Sequence, residues 1–428
     1  MALSVSLLRE WSRTAPLELE RVIRGLLYVY IFSLLFHQLL FVERNGFIVL
    51  LGLLGVWCLS NQRLFYAGTV LDAPLLAFVL WVGSTIPFAT FPAYSAKEFG
   101  KLLQQVVVFY AVVYFLRDQR HKRVVVWVLI WGLLGKSLLG ICGRIWELAV
   151  ESGANGNLVL APIIQADVWL TTHLVMLLPL SLAMALTHEN PAAKRFCFGV
   201  TGLATLCLIL LRSQAGLLAV LCELWLAVWC TRRRRLFLVV CGFTIVLAIG
   251  VVITLQRVTI MVPGTSVPMI RVSEASREHR LDIWKFALAR IGEHPIVGIG
   301  YGKETYSKLY GQAEEEVQPG RWRVRDAGAH NSFLGIALET GILGAMLFVW
   351  LLFRIGRHAL RRFRGAWDGL ESAMALGVAR GVIGLTVRLF FDHMFVSTIG
   401  VLLMVMASLV CAATPASGGT LPAESQGR

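Results

Sequence analysis

The sequence predicts an all-α polytopic membrane protein, with about twelve transmembrane helices and one large extracytoplasmic loop that contains an amphipathic helix. Three observations carry this. The chain is 57% hydrophobic and only 15% charged, with a mean hydropathy of +0.69, whereas roughly a quarter of a soluble domain is charged. Apolar runs of about 20 residues, the length that crosses a bilayer core, recur along the chain. Arginine clusters occupy alternate short connections between those runs, the bias expected of cytoplasmic loops. Much of the net charge of +14 lies in these clusters, so it reads as a topology signal and not as a nucleic-acid footprint. Membrane lipids are the expected surroundings, and no nucleic-acid partner is expected.

The first apolar run follows a basic stretch with Arg9, Arg13, Arg21 and Arg24. It is too long, and lacks the small-residue cleavage site, for a signal peptide, so it reads as a retained span. Spans are expected near 23 to 42, 46 to 60, 70 to 90, 102 to 116, 124 to 149, 168 to 186, 196 to 212, 215 to 231, 236 to 255, 331 to 353, 371 to 390 and 393 to 412. The parity of the arginine clusters is consistent with that series. Arg117, Arg120, Lys122 and Arg123 follow the fourth span, Arg232 to Arg235 the eighth, and Arg354, Arg357, Arg361, Arg362 and Arg364 the tenth. All are even-numbered connections and belong with the basic N-terminus in the cytoplasm. The connection from Glu151 to Asp167 has no Lys or Arg and falls on the other side. The chain thus divides into an N-terminal membrane region (1–255), an extracytoplasmic loop (256–329), C-terminal membrane helices (330–413) and a Pro-, Gly- and Ser-rich tail (414–428) expected to be disordered.

Inside the loop, apolar residues at Leu281, Ile283, Trp284, Ala287, Leu288 and Ile291 follow a helical period between Arg277 and Glu293. An amphipathic helix lying on the membrane surface is expected there. Pro295 ends it, and Gly298-Ile299-Gly300-Tyr301-Gly302 turns the chain away. No buried strand precedes those glycines and no βαβ unit follows, so they are not a dinucleotide fingerprint. Glu314 to Gly320 reads as a mobile lid or solvated connection. The eight cysteines lie in or at the ends of apolar segments, with no CxxC, disulfide or zinc spacing. No metal site and no cofactor are expected.

Ionisable groups at membrane depth are functional suspects unless they pair. Lys136, Arg144 and Arg380 are of this kind, and Glu147, Glu223 or Glu371 would answer them. A second set should meet at the extracytoplasmic surface: Arg212 and Gln214 between spans seven and eight, Arg277 and Arg280 opening the amphipathic helix, His330 and Asn331 opening span ten, and Arg388 with Asp392 closing span eleven. Guanidinium forks bind phosphate oxygens bidentately, so an interfacial anion such as a lipid phosphate or pyrophosphate suits the set. Arg388 could equally touch phospholipid headgroups. A neutral imidazole at His330 can serve as a general base, or the residue can be a polar anchor at a helix start.

The stretch from His330-Asn331 through Gly341 to Gly344 (HNSFLGIALETGILG) resembles the signature that O-antigen ligases and related polymerases carry at the end of their large periplasmic loop. Arg277 with Leu281 resembles a second motif of that family, an arginine with leucine four residues later. The run from Arg280 to Trp284, with His294-Pro295 and Gly298-Ile299-Gly300, also resembles the family, so either arginine could be the functional one. The order Arg212-Ser213-Gln214-Ala215-Gly216 departs from the family's usual Ser-Arg before a glycine, and Asp392 resembles a periplasmic aspartate of the ligases.

The resemblance implies a GT-C-like membrane glycosyltransferase of the inner membrane. Its donor would be polysaccharide on undecaprenyl pyrophosphate and its acceptor a sugar hydroxyl of lipid A-core. It implies His330 as base, Arg277, Arg280 and Arg212 on the pyrophosphate, and Asn331, Asp392, Arg388 and Gln214 in support, with no metal. An O-antigen polymerase or a protein O-oligosaccharyltransferase would use the same donor. A transporter would instead show internally repeated, broken helices at the midplane, which this sequence lacks.

Overall fold

A computed structural model describes residues 2–151, 169–211, 213–231, 234, 237–238, 240–242, 244–245, 274–310, 329–365, 369–392 and 397–411, with the backbone alone at 2–17, 148–151, 231, 274–280, 282 and 397. Among the described residues there is no strand. The helices are α1 (Ala2–Ser33), α2 (Leu40–Asn61), α3 (Asp72–Thr85), α4 (Pro92–Phe115), α5 (Gln119–Glu151), α6 (Leu170–Thr187), α7 (Pro191–Leu210), α8 (Gln214–Thr231), α9 (Glu274–Glu293), α10 (Thr305–Tyr310), α11 (Ser332–Gly365), α12 (Gly369–Phe391) and α13 (Ser397–Cys411).

Among the described residues, six helical segments are long and apolar enough to cross a membrane: His37–Asn61, Gln119–Glu147, Leu170–Thr187, Pro191–Leu210, Ser332–Gly365 and Gly369–Phe391. Asp72–Phe88, Gln214–Cys230 and Thr398–Cys411 are shorter apolar helices. This is the architecture of a polytopic membrane protein. Every expected span but the first and the ninth coincides with a helix; most of the ninth, much of the loop and the tail lie outside the described residues.

The first expected span, near 23 to 42, is not one continuous helix. Helix α1 stops at Ser33, where Leu35 N and Phe36 N reach back only three residues, to Phe32 O and Ser33 O. The Ser33 hydroxyl donates to Tyr30 O at 2.8 Å, taking up a carbonyl at the helix end. The chain then turns through a single 3-10 turn, and α2 packs back along α1.

Helix α12 is the centre of the bundle, packed on α6, α11 and α8. Small residues let helix backbones approach closely in a membrane, where lipid is as apolar as leucine and packing must supply the attraction. Here Gly377 faces Leu180 and Gly381 faces the Met176 carbonyl. The deep charges are answered unevenly: a carboxylate meets Arg144 as expected, but the carboxylate oxygens of Glu223, beside Arg380, find no hydrogen-bond partner among the described residues. Arg144 bonds Glu147 at 2.8 Å, Arg380 Nε donates to the Glu223 backbone carbonyl at 3.1 Å, Gln119 donates to Glu371 at 2.7 Å, and Lys136 sits 6.0 Å from the Phe36 ring.

At the basic end of α11 the side chains cap other segments. Arg362 Nε and His358 Nε2 meet Val410 O near the end of α13, at 3.3 and 3.1 Å, and Arg354 Nη2 donates to Val70 O at 3.0 Å. The arginine cluster thus occupies one end of α11, and His330 stands at the other.

Candidate functional site

The site is organised by a break in α11. Gly341 has φ 77° and ψ 173°, a conformation open essentially to glycine alone, and a Cβ there would run into the Ile296 carbonyl oxygen. The bend turns three carbonyls out of the helix, and each finds a donor from another part of the chain. Ile299 N donates to Leu338 O at 2.9 Å, Gly300 N to Glu339 O at 3.0 Å, and Trp81 Nε1, from α3, to Thr340 O at 2.9 Å. In return Ile342 N donates to Pro295 O at 2.9 Å. Buried backbone groups must be paired, so the break and the glycine-rich strap beside it are one unit. Gly298, at φ 72°, has Leu338 O so near that a Cβ would meet it at 2.5 Å. Glu339 adds a side-chain tie, its Oε2 accepting from Gly302 N at 3.0 Å. Burial first, then the Glu339 and Glu98 carboxylates, pushes the Tyr301 phenol well above its ordinary pKa, so it stays neutral.

A small core holds this layer together: Ile291, Ile299, Tyr306, Ala337 and Leu338, with Phe286, Leu309, Tyr310 and Leu334 packed against it. Helix α9 contributes Ile283, Ala287 and Ile291, spaced by four, all buried. Leu281 and Leu288 lie on another face and are exposed. The expected single apolar stripe is corrected here: it splits, and its best-buried part packs on α11. Arg290 fixes the end of α9 by stacking over Phe286 at 5.0 Å and pairing with Glu293.

His330 precedes this broken helix with φ 42°, a left-handed conformation rare outside glycine and one that clusters at functional sites. Asn331 caps α11, its side-chain oxygen accepting from Phe333 N at 2.9 Å and Leu334 N at 3.1 Å. Ser332 Oγ donates to the Asp392 backbone carbonyl at 2.8 Å, tying the start of α11 to the end of α12. The Asp392 carboxylate then divides its oxygens: Oδ1 lies 3.7 Å from His330 Nδ1 and Oδ2 accepts from Arg388 Nη2 at 3.0 Å. The His330 side chain is 37% exposed and that of Arg388 only 6%. An open imidazole backed by a fixed carboxylate can take a proton from a bound hydroxyl.

Of the residues expected at this surface, the structure brings together His330, Asn331, Arg388 and Asp392. Gln214 is exposed at the start of α8, which Ser213 opens by accepting from Gly216 N at 3.2 Å. That start lies against the start of α6, with Gly216 facing Thr171. Arg212 lies outside the described residues, and the backbones of Arg277 and Arg280 lie in the first turns of α9. Arg280 stands three, seven and eleven residues before Ile283, Ala287 and Ile291, in the register of the face that docks, and Arg277 is offset from it. Among the described residues no group of three or more His, Cys, Asp or Glu could hold a metal ion. Sequence reasoning missed Trp81, Ser332 and the pairing of the glycine-rich strap with Leu338 and Glu339. Only the strap left a signal, its glycines at 298, 300 and 302.

Residues 199–349, which include His330 and the break in α11 but not Asp392, match the family model described as O-antigen ligase. Two Rickettsia proteins named "Putative polysaccharide ligase" align with the chain, that of Rickettsia felis at 33% identity and that of Rickettsia conorii at 34%, each over 82 residues. These matches support an O-antigen ligase family assignment. Each alignment covers 19% of this chain, and the chain spans about a fifth of the length of the curated relatives it matches, 20% in both cases. Together with the apolar helices, the similarity points to a membrane-embedded protein.

Proposed function

We propose that this protein is an O-antigen ligase of the bacterial inner membrane. It transfers polysaccharide from undecaprenyl pyrophosphate to a sugar hydroxyl of lipid A-core, on the periplasmic side. The observation that carries the reading is the His330–Asp392–Arg388 group at the junction of α11 and α12, with a partly exposed imidazole backed by a carboxylate that a buried arginine anchors. The finer topology belongs to the same proposal: twelve spans, residues 256–329 outside, and the basic end of α11 in the cytoplasm.

A sugar hydroxyl is a poor nucleophile until its proton is taken, and His330 takes it. The acceptor oxygen forms its bond to the anomeric carbon of the donor as the bond from that carbon to the pyrophosphate oxygen breaks. The electron pair leaves with undecaprenyl pyrophosphate, whose developing charge Arg277, Arg280 and Arg212 stabilise without a divalent metal. With His330 as the base and Asp392, the carboxylate beside it among the described residues, paired with Arg388, a single displacement with inversion is the simpler mechanism. The register of Arg280 on the docking face of α9 favours it over Arg277 as the nearer contact. Gln214 and Asn331 support the site from the starts of α8 and α11.

The test is transfer by the purified protein from undecaprenyl-pyrophosphate-linked polysaccharide, offered lipid A-core or a second donor molecule, with and without EDTA. Ligation to lipid A-core that survives chelation is the expected result. Elongation of the second donor in place of ligation would show a polymerase, and loss with EDTA restored by magnesium would refute the metal-independent step.

A further inference from the structure

We propose that Arg388 is a positioning residue that acts on His330 through Asp392, and that it does not hold the donor's phosphates. The inference rests on the reading of His330 as the base, and it reverses what sequence alone suggested for Arg388, an anion or headgroup contact. Its side chain is 6% exposed, set one helical turn before Asp392, and Nη2 donates to Oδ2 at 3.0 Å. A guanidinium so buried, already committed to a carboxylate, has little face left for a diphosphate in solvent. What it does instead is hold Asp392 as an anion in one orientation, directing Oδ1 at His330 Nδ1, 3.7 Å away.

That direction matters because the two imidazole nitrogens have different tasks. A carboxylate facing Nδ1 favours the tautomer with the proton there, which leaves the lone pair on Nε2 for the acceptor hydroxyl. At 3.7 Å the contact is longer than a hydrogen bond, as catalytic contacts often are before substrate seats. The backbone closes the arrangement from the other side: Ser332, two residues after His330, donates to Asp392 O at 2.8 Å, so the carboxylate and the imidazole are tethered to one another. Arg388 also neutralises Asp392, which argues against that carboxylate being the base itself.

The test compares Arg388→Gln, Arg388→Lys, Asp392→Asn and the double variant Arg388→Gln/Asp392→Asn in the full chain. Arg388→Gln should lower kcat by about tenfold to a hundredfold while donor affinity stays within about twofold, and the double variant should be no worse than Asp392→Asn. Arg388→Lys should recover part of kcat, since it keeps the charge and loses the fork. A donor affinity reduced by about tenfold at unchanged kcat, or losses that multiply in the double variant, would overturn the proposal.

A second readout needs no transfer activity. The rate at which diethyl pyrocarbonate modifies His330, followed by peptide mass spectrometry, should shift alike in Arg388→Gln and Asp392→Asn, by about threefold or more. An unchanged rate in Arg388→Gln overturns the positioning role even if the ligase reading stands. A shifted rate in a protein inactive with every acceptor upholds it while the ligase reading fails. If Arg388→Gln does not fold, the Lys variant carries both measurements.

Discussion

Replacing Gly341 with alanine tests how the site is built. The φ of 77° with ψ of 173° is a region essentially closed to residues with a Cβ, costing about 1–3 kcal/mol. The new methyl also collides with the Ile296 carbonyl, so the strap must move off α11. Three backbone hydrogen bonds are then at stake, Ile342 N to Pro295 O, Ile299 N to Leu338 O and Gly300 N to Glu339 O. At about 0.5–1.5 kcal/mol each they add roughly 1.5–4.5 kcal/mol. The total, about 2.5–7.5 kcal/mol, is a shift of roughly two orders of magnitude or more toward the undocked strap. Hydrogen exchange read by mass spectrometry should therefore show protection at 295–302 and at Ile342 falling by about two orders of magnitude or more, with α6 and α12 unchanged. Transfer activity should fall with it. Wild-type protection of the strap in Gly341→Ala would refute the reasoning, because the break would then not be what holds strap and helix together.

His330→Ala should lose turnover by about 10²- to 10⁴-fold while retaining donor binding, measured by single-turnover transfer beside lipid-donor binding in one detergent preparation. A stable, donor-binding variant within about tenfold of wild type would make His330 an anchor and not the base. Arg280→Ala should weaken donor use more than Arg277→Ala, with Lys at 280 recovering only part, because an ammonium keeps the charge and loses the planar fork; equal and small effects in a donor-affinity series would remove the pyrophosphate assignment. For topology, a single cysteine at Gln312 should react with impermeant reagent from outside intact spheroplasts and one at Arg361 should not, and equal labelling of both would overturn the orientation.

Much of the fold was legible because lipid is a demanding solvent. A helix that crosses it must be apolar along its length, so Leu170–Thr187 and Gly369–Phe391 announce themselves in one dimension. The same logic fails where a segment buries itself against protein. Helix α9 shows a helical period, but period alone did not separate Ile283, Ala287 and Ile291, which pack inward, from Leu281 and Leu288, which stay exposed. The break after Ser33 was invisible because no glycine or proline marks it and the apolar run continues through it.

For the site, sequence determined the chemistry available. His330 and Asn331 at a helix start and the glycines at 341 and 344 were readable from spacing. What it could not supply were the partners, because these come from distant segments. Trp81 reaches Thr340 across 259 residues, Gly302 meets Glu339 across 37, and Ser332 meets Asp392 across 60. The roles of Gly341 and Arg388 follow from such meetings. Only in three dimensions does the glycine become the break that turns carbonyls toward the strap, and the arginine a buried clamp on Asp392. Local pattern records which groups a segment carries; tertiary packing alone decides which of them satisfy one another, since every buried donor and acceptor must find its partner wherever in the chain that partner lies.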